Sequence, residues 1–150
     1  MVLRAEQPLN LVPQIAKLAA LGVHHIEIAW SDHPAWPSQA QELHAVFPGV
    51  CFGAASVVDV RALDAVGAAG LSFAVSPVLD PQLLQHAARL GITLVPGVFS
   101  PTEVHHARSL GCALVKLFPA ISLGSAYWRR LAAPLGGLPF CIAAGGLGPE

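Results

Sequence analysis

Short apolar runs recur along this chain, separated by longer Ala- and Leu-rich stretches with polar positions interspersed. The runs predict strands at 2–5, 24–29, 50–55, 72–76, 92–96, 113–118 and 139–144. The stretches between them predict helices at 9–21, 38–47, 57–69, 81–90, 101–110 and 125–133. The strand runs are continuously apolar rather than alternating, which is expected of a parallel sheet buried on both faces by helices.

Punctuation supports the same succession of β/α units. Gly70, Gly91 and Gly111 recur 21 and 20 residues apart, and each closes a helical stretch and precedes an apolar run, as does Gly22. Glycine just past a helix end, followed by a strand, builds a tight αβ turn. Ser100-Pro-Thr-Glu103 reads as a capping box with proline at the first helical position. Ser56-Val-Val-Asp59 repeats the spacing of Ser and acid, and Asp80-Pro81 reads as a cap followed by proline.

Uninterrupted by linkers or low-complexity tracts, residues 1–150 are expected to form a single domain. Its fold class is α/β, a TIM (β/α)₈ barrel. Only seven strands are predicted, so the barrel is expected to be truncated after the seventh, with the eighth unit missing beyond Gly145-Gly146-Leu147-Gly148-Pro149-Glu150. An open barrel would leave strand edges unpaired at 2–5 and 139–144. The competing architecture is an open doubly wound sheet.

Composition narrows the function classes. Of the 150 residues 54% are hydrophobic and 11% charged, with a net charge of −1. Nucleic-acid partners are not expected, because backbone binding needs clustered Lys and Arg. A membrane partner is not expected either, since no apolar stretch reaches the roughly 18 residues of a spanning helix. No apolar signal core is read near the N-terminus. Cys51, Cys112 and Cys141 are odd in number and lack CxxC spacing, so buried free thiols in a reducing cytoplasm are expected.

The chain has two lysines. Lys17 lies mid-helix and reads as solvated. Lys116 sits inside the apolar run Ala113-Leu-Val-Lys-Leu-Phe-Pro119. Burying an ammonium there lowers its pKa from the usual value near 10.4, and a neutral amine attacks a carbonyl to form a Schiff base. A snorkelling or ion-paired structural lysine is the other reading. Glu27, flanked by isoleucines in His25-Ile-Glu-Ile-Ala29, reads as a proton carrier or as the partner of a buried cation. Arg4 ends the first strand, where it would bind a carboxylate or phosphate, or simply face solvent. Gly145-Gly146 reads as a phosphate cradle of backbone N–H groups or as a tight turn. The seven histidines suggest no metal site. Asp32-His33, with Trp30 and Trp36 beside it, reads as a loop near the substrate or as ordinary core packing.

These residues resemble a known family. Pro96-Gly-Val-Phe-Ser-Pro-Thr-Glu103, followed by Leu114-Val-Lys-Leu-Phe-Pro-Ala120, resembles the PGVxTPTE and LKLFPA signature of the 2-keto-3-deoxy-6-phosphogluconate (KDPG) and 4-hydroxy-2-oxoglutarate (KHG) aldolases. Val75-Ser-Pro77, Ile26-Glu-Ile28 and Gly53-Ala-Ala-Ser56 are similar to the family's VSP, LEVTLRT and GAGT segments. The resemblance covers essentially the whole chain. It implies a class I aldolase barrel without cofactor or metal, cytoplasmic and a homotrimer, acting on a small-molecule 2-keto acid. By the same resemblance Lys116 is the Schiff-base lysine and Glu27 the acid/base. Pro77 and Phe118 would line the pocket, and Ser56 would help hold the substrate carboxylate.

The chain also departs from the pattern. Trp30-Ser31-Asp32 stands where the family has LRT, which removes an arginine. Ala143-Ala144-Gly145-Gly146 stands where it has PTGG, which removes a threonine, and the GGS turn of the eighth strand is absent. These departures raise two alternatives to an aldolase: a binding or assembly subunit that has lost catalysis, and a phosphate-sugar isomerase or synthase on the same barrel.

Overall fold

The computed structural model describes residues 1–124 and 126–147. Residue 125, where the last predicted helix would begin, and the predicted end at residues 148–150 lie outside the described residues. The chain divides into two compact units, residues 1–75 with 82–94 and residues 76–81 with 95–150.

The first unit holds a five-stranded sheet in chain order: β1 (Val2–Leu3), β2 (His25–Ala29), β3 (Cys51–Ala55), β4 (Phe73–Val75) and β5 (Thr93–Val95), whose last residue passes into the second unit. β1, β2, β3 and β4 pair in parallel, with Glu27 opposite Val2 on one side and Gly53 on the other. The helices are α1 (Val12–Ala20), α2 (Trp36–Val46), α3 (Val60–Ala68) and α4 (Pro81–Arg89). Ile26, Ile28, Phe52 and Ala54 are buried in one cluster with Ile15, Leu43 and Leu63 from the helices. Strands covered on both faces need continuous apolar runs.

The second unit holds β6 (Gly97–Val98), β7 (Leu114–Leu117) and β8 (Phe140–Ala143), again parallel and in chain order, with α5 (Pro101–Ser109) and α6 (Tyr127–Leu135). Val98 and Val115 on the strands pack against Val104, Ala107 and Leu131 on the two helices. Strand order follows chain order in both sheets. A doubly wound sheet reverses order at a switch point, so the connectivity is that of the (β/α)₈-barrel class.

Several local expectations are corrected. The run at 92–96 is not one strand: Pro96 separates β5 from β6, because proline has no N–H to give a ladder. Its carbonyl still serves, accepting the Lys116 N–H at 2.9 Å. The cap of α3 is Asp59, not Ser56; the Asp59 carboxylate accepts the Ala62 N–H at 2.9 Å. Ser56 instead has φ 63°, the one described non-glycine residue in the left-handed region. The cysteines are free as expected but not buried: Cys51 is exposed, Cys112 and Cys141 half-buried. Desolvation raises the pKa of the Cys112 thiol; it does the same for Cys141 against a smaller lowering by a backbone hydrogen bond from Leu117. β8 departs from the doubly covered pattern, with Phe140 73% and Ile142 37% exposed.

The Ser100 box forms as predicted. The Ser100 hydroxyl accepts the Glu103 N–H at 3.3 Å, and the Glu103 carboxylate accepts the Ser100 N–H at 2.7 Å. Among the described residues no helix is long and apolar enough to cross a membrane.

Candidate active site

Lys116 lies one residue before the carboxyl end of β7 and is 7% exposed, whereas Lys17 is on the solvated face of α1. Its position follows from two-fold strand periodicity. Val115 and Leu117 are buried, and Val115 packs against the helices. Lys116 and Phe118 therefore project from the opposite face. The Lys116 Nζ stands 4.7 Å from the Phe118 ring centroid, a cation–π distance when the amine is protonated.

β6 supports this strand in register. Gly97 is opposite Lys116 and Val98 opposite Leu117. The Phe118 N–H donates to the Val98 carbonyl at 3.1 Å. A side chain at Gly97 would collide with Pro77, whose carbonyl carbon and oxygen lie 2.3 Å from the Cβ position. Pro77 is thereby brought against the residue paired with Lys116. The Gly97 N–H donates to the Val78 carbonyl at 3.1 Å, fixing the same approach.

The glycine pair closes on the other flank. A Cβ at Gly145, where φ is +92°, would lie 2.8 Å from the Phe118 ring and 3.1 Å from the Pro119 Cα. The Ile121 N–H donates to the Gly145 carbonyl at 3.2 Å, and the Ala120 N–H to the Ala144 carbonyl at 2.7 Å. At Gly146 a Cβ would meet the Ile121 side chain at 2.6 Å. The second unit thus brings together Lys116, Phe118, Pro77, Gly145 and Gly146.

The first unit gathers the remaining predicted residues on adjacent strands. Glu27 is half-buried in the middle of β2, between strands ending at Leu3 and Ala55. Just past those ends, the exposed Arg4 guanidinium donates to the Ser56 hydroxyl at 3.0 Å. Ser31, which stands at the family's arginine position, uses its hydroxyl on the Glu6 carbonyl at 2.6 Å.

Beside this group is a cleft of about 230 Å³ lined by Trp30, Asp32, His33, Pro34 and Arg61. Arg61 pairs with Asp32 at 3.3 Å and stands 5.8 Å from the Trp30 ring centroid. Trp36 is core: it is fully buried and its indole N–H donates to the Ala29 carbonyl at 3.1 Å. Among the described residues no group of three or more His, Cys, Asp or Glu could hold a metal ion.

The sequence reading missed Gly97 and Tyr127. Gly97 carried a signal, being the glycine of the PGV segment. Tyr127 carried none, because its partner is 28 residues away: its hydroxyl donates to the Phe99 carbonyl at 2.7 Å. Desolvation raises the Tyr127 pKa, and the Glu103 charge adds to the effect.

Comparisons with known proteins fit this arrangement. The family description "KDPG and KHG aldolase" matches residues 1–150. The 2-dehydro-3-deoxy-phosphogluconate aldolase of Treponema pallidum is 36% identical over 99 residues, covering 65% of this chain and 47% of that protein. The enzyme of the same name from Pseudomonas aeruginosa is 31% identical over 145 residues, covering 96% of this chain and 66% of that protein. The chain therefore spans between about half and two-thirds of these relatives' length. A KDPG aldolase structure from Legionella pneumophila, with pyruvate captured as a covalent carbinolamine, superposes with a TM-score of 0.84 at 27% identity. It is matched over 97% of this chain and 70% of its own. Parallel strand–helix units in barrel order, the Lys116 segment and a match over all 150 residues place this chain in the KDPG and KHG aldolase family.

Proposed function

We propose that residues 1–150 act as one barrel domain of a class I aldolase, with Lys116 as the Schiff-base residue. The substrate class is a 2-keto-3-deoxy sugar acid, with or without a 6-phosphate, or a 4-hydroxy-2-oxo acid. The products are pyruvate and an aldehyde such as glyceraldehyde 3-phosphate or glyoxylate. One observation carries the reading: the Lys116 amine is buried on the strand face turned away from the helices, against an aromatic ring, near the carboxyl end of a parallel strand. Active sites of this fold class gather at that end.

The chemistry follows from an amine in an apolar setting. Unprotonated Lys116 attacks the C2 ketone, and the carbinolamine loses water to give a protonated imine. The C3–C4 bond then breaks. Its electron pair moves toward the imine nitrogen while the C4 hydroxyl gives up its proton, so an aldehyde leaves and an enamine of pyruvate remains. Protonation at C3 and addition of water release pyruvate and restore the amine. Glu27 is assigned the proton transfers, because a carboxyl group can both take the hydroxyl proton and return one to carbon.

Arg4 and Ser56 are assigned to the substrate carboxylate, with Arg4 in place of the arginine that Ser31 lacks; a guanidinium suits a planar carboxylate. Gly145 and Gly146 are assigned to the distal phosphate, through backbone N–H groups, and Pro77 and Phe118 to the pocket wall. No metal or cofactor is required by these steps. A homotrimer working in the cytoplasm completes the proposal, as the family resemblance implies.

Lys116→Ala is expected to abolish pyruvate release from KDPG or 4-hydroxy-2-oxoglutarate in a lactate dehydrogenase-coupled assay, and Lys17→Ala to leave it nearly intact. Equal loss in both variants would refute the assignment.

A further inference from the structure

We propose that Ser31 is a positioning residue for Arg4: its hydroxyl holds the Glu6 carbonyl and so keeps the Arg4 guanidinium on Ser56, set for the substrate carboxylate. The proposal rests on the assignment of Arg4 and Ser56 to that carboxylate, and adds the residue that holds the pair in place.

Arg4, Ser31 and Ser56 follow the ends of three adjacent strands. β1 ends at Leu3, β2 at Ala29 and β3 at Ala55, and β2 lies between the other two. Neighbouring strands are about 4.8 Å apart, so the outer two are separated by about 10 Å. The 3.0 Å bond from the Arg4 guanidinium to the Ser56 hydroxyl therefore joins the outer strand ends past the middle one. A long side chain held in such a reach gives up rotamer freedom. The bond thus depends on where the Arg4 backbone is held.

Residues 4–7 run between β1 and the 3₁₀ turn Pro8–Leu11, outside any strand or helix. Two side chains tie this stretch down. The Ser31 hydroxyl donates to the Glu6 carbonyl at 2.6 Å. Gln39 on α2 holds the far end, accepting the Leu9 N–H at 3.2 Å and donating to the Gln7 side-chain carbonyl at 3.3 Å. Of the two ties, that of Ser31 is the nearer to Arg4.

The same bond argues against direct contact between Ser31 and substrate. A serine hydroxyl has one proton to donate; Ser31 gives it to Glu6, so none is left for a carboxylate. Arg4 is different, since a guanidinium carries more donors than the bond to Ser56 uses. The Asp32 carboxylate, next in sequence to Ser31, pairs with Arg61 at 3.3 Å. Ser56 itself is strained, with φ 63°, and strain of this kind gathers at ligand clamps where neighbours hold it. The Trp30 cleft is a weaker candidate, because its Arg61 is shared between Asp32 and Asp59.

The test is borohydride trapping on Lys116 against the concentration of pyruvate or of methyl pyruvate, the ester that lacks the charge. Ser31→Ala is expected to raise the half-saturating pyruvate concentration about 5-fold, the effect of one typical hydrogen bond, with the maximal trapped yield unchanged. Methyl pyruvate is expected to saturate parent and variant alike. Ser31→Thr, which keeps the hydroxyl, is expected to behave as the parent does. Arg4→Ala is expected to raise the half-saturating pyruvate concentration at least as much. Adding Ser31→Ala to it should bring no further loss, because a residue that acts through another is not additive with it. An unchanged Ser31→Ala, an equal shift with the ester, or an additive loss in the double variant would overturn the role of Ser31 and leave the Schiff-base reading standing. Failure to trap pyruvate on the parent would overturn both.

Discussion

Replacing Gly97 by alanine should break the packing that holds Lys116 in register. The added Cβ would stand 2.3 Å from the Pro77 carbonyl carbon and oxygen and 2.8 Å from the Val78 N. Those atoms are backbone, so no side-chain rotation relieves the contact, and β6 and residues 77–78 must separate by about an ångström to reach normal contact distance. That movement stretches the 3.1 Å bond from the Gly97 N–H to the Val78 carbonyl. Overpacking costs about 1–3 kcal/mol, and a lost backbone hydrogen bond about 1 kcal/mol. A total of about 2–4 kcal/mol corresponds to a fall in Tm of roughly 5–15 °C for a chain of this size. Urea and thermal unfolding followed by circular dichroism would measure it. Gly49→Ala is the control, because nothing lies within 4 Å of its Cβ position, and it should change stability by less than about 0.5 kcal/mol. A Gly97→Ala chain as stable as the control would refute the close approach of Pro77 to β6.

Glu103→Ala should cost about 1 kcal/mol at pH 7, the usual value of a helix cap. Desolvation pushes the Glu103 carboxyl up, but its bonds from the Ser100 and Phe99 N–H groups and the Ser100 hydroxyl outweigh this and leave its pKa below the ordinary 4.5. The contribution is therefore complete above the unfolded-state value and is lost as pH falls through the lower folded-state value; unfolding curves of parent and variant should converge at acidic pH. N-ethylmaleimide near pH 7.5 should label Cys51 first. Cys112 and Cys141 are half-buried with raised thiol pKa values and should react more slowly, as mass spectrometry of timed digests would show; the reverse order would contradict these environments. Tyr127→Phe removes the hydroxyl that donates to the Phe99 carbonyl and should cost about 1 kcal/mol of stability, which urea unfolding would detect.

Elements governed by local chemistry were legible in the sequence. The glycines at 22, 70, 91 and 111 all adopt positive φ after helices, and the Ser100–Glu103 box closes as its spacing implies. The burial of Lys116 was legible because it is a lone charge inside an apolar strand. Features set by tertiary competition were less so. Ser56 and Asp59 both have the chemistry of a cap, and the sequence does not say that Ser56 would turn left-handed and accept from Arg4. Pro96 falls within an apolar run and reads as strand until its missing N–H is counted. Phe140 and Ile142 look like core by composition, yet both are exposed. The bond from the Tyr127 hydroxyl to the Phe99 carbonyl joins residues 28 apart, which periodicity cannot detect.

The most direct measurement is mass spectrometry of the protein after incubation with pyruvate and borohydride. A reduced pyruvate adduct confined to the Lys116 peptide is predicted, absent from Lys17 and lost in Lys116→Ala. A parent chain that stays unmodified between about pH 6 and 9, or that carries the adduct on Lys17 instead, would contradict the assignment of Lys116 as the carbonyl-attacking amine.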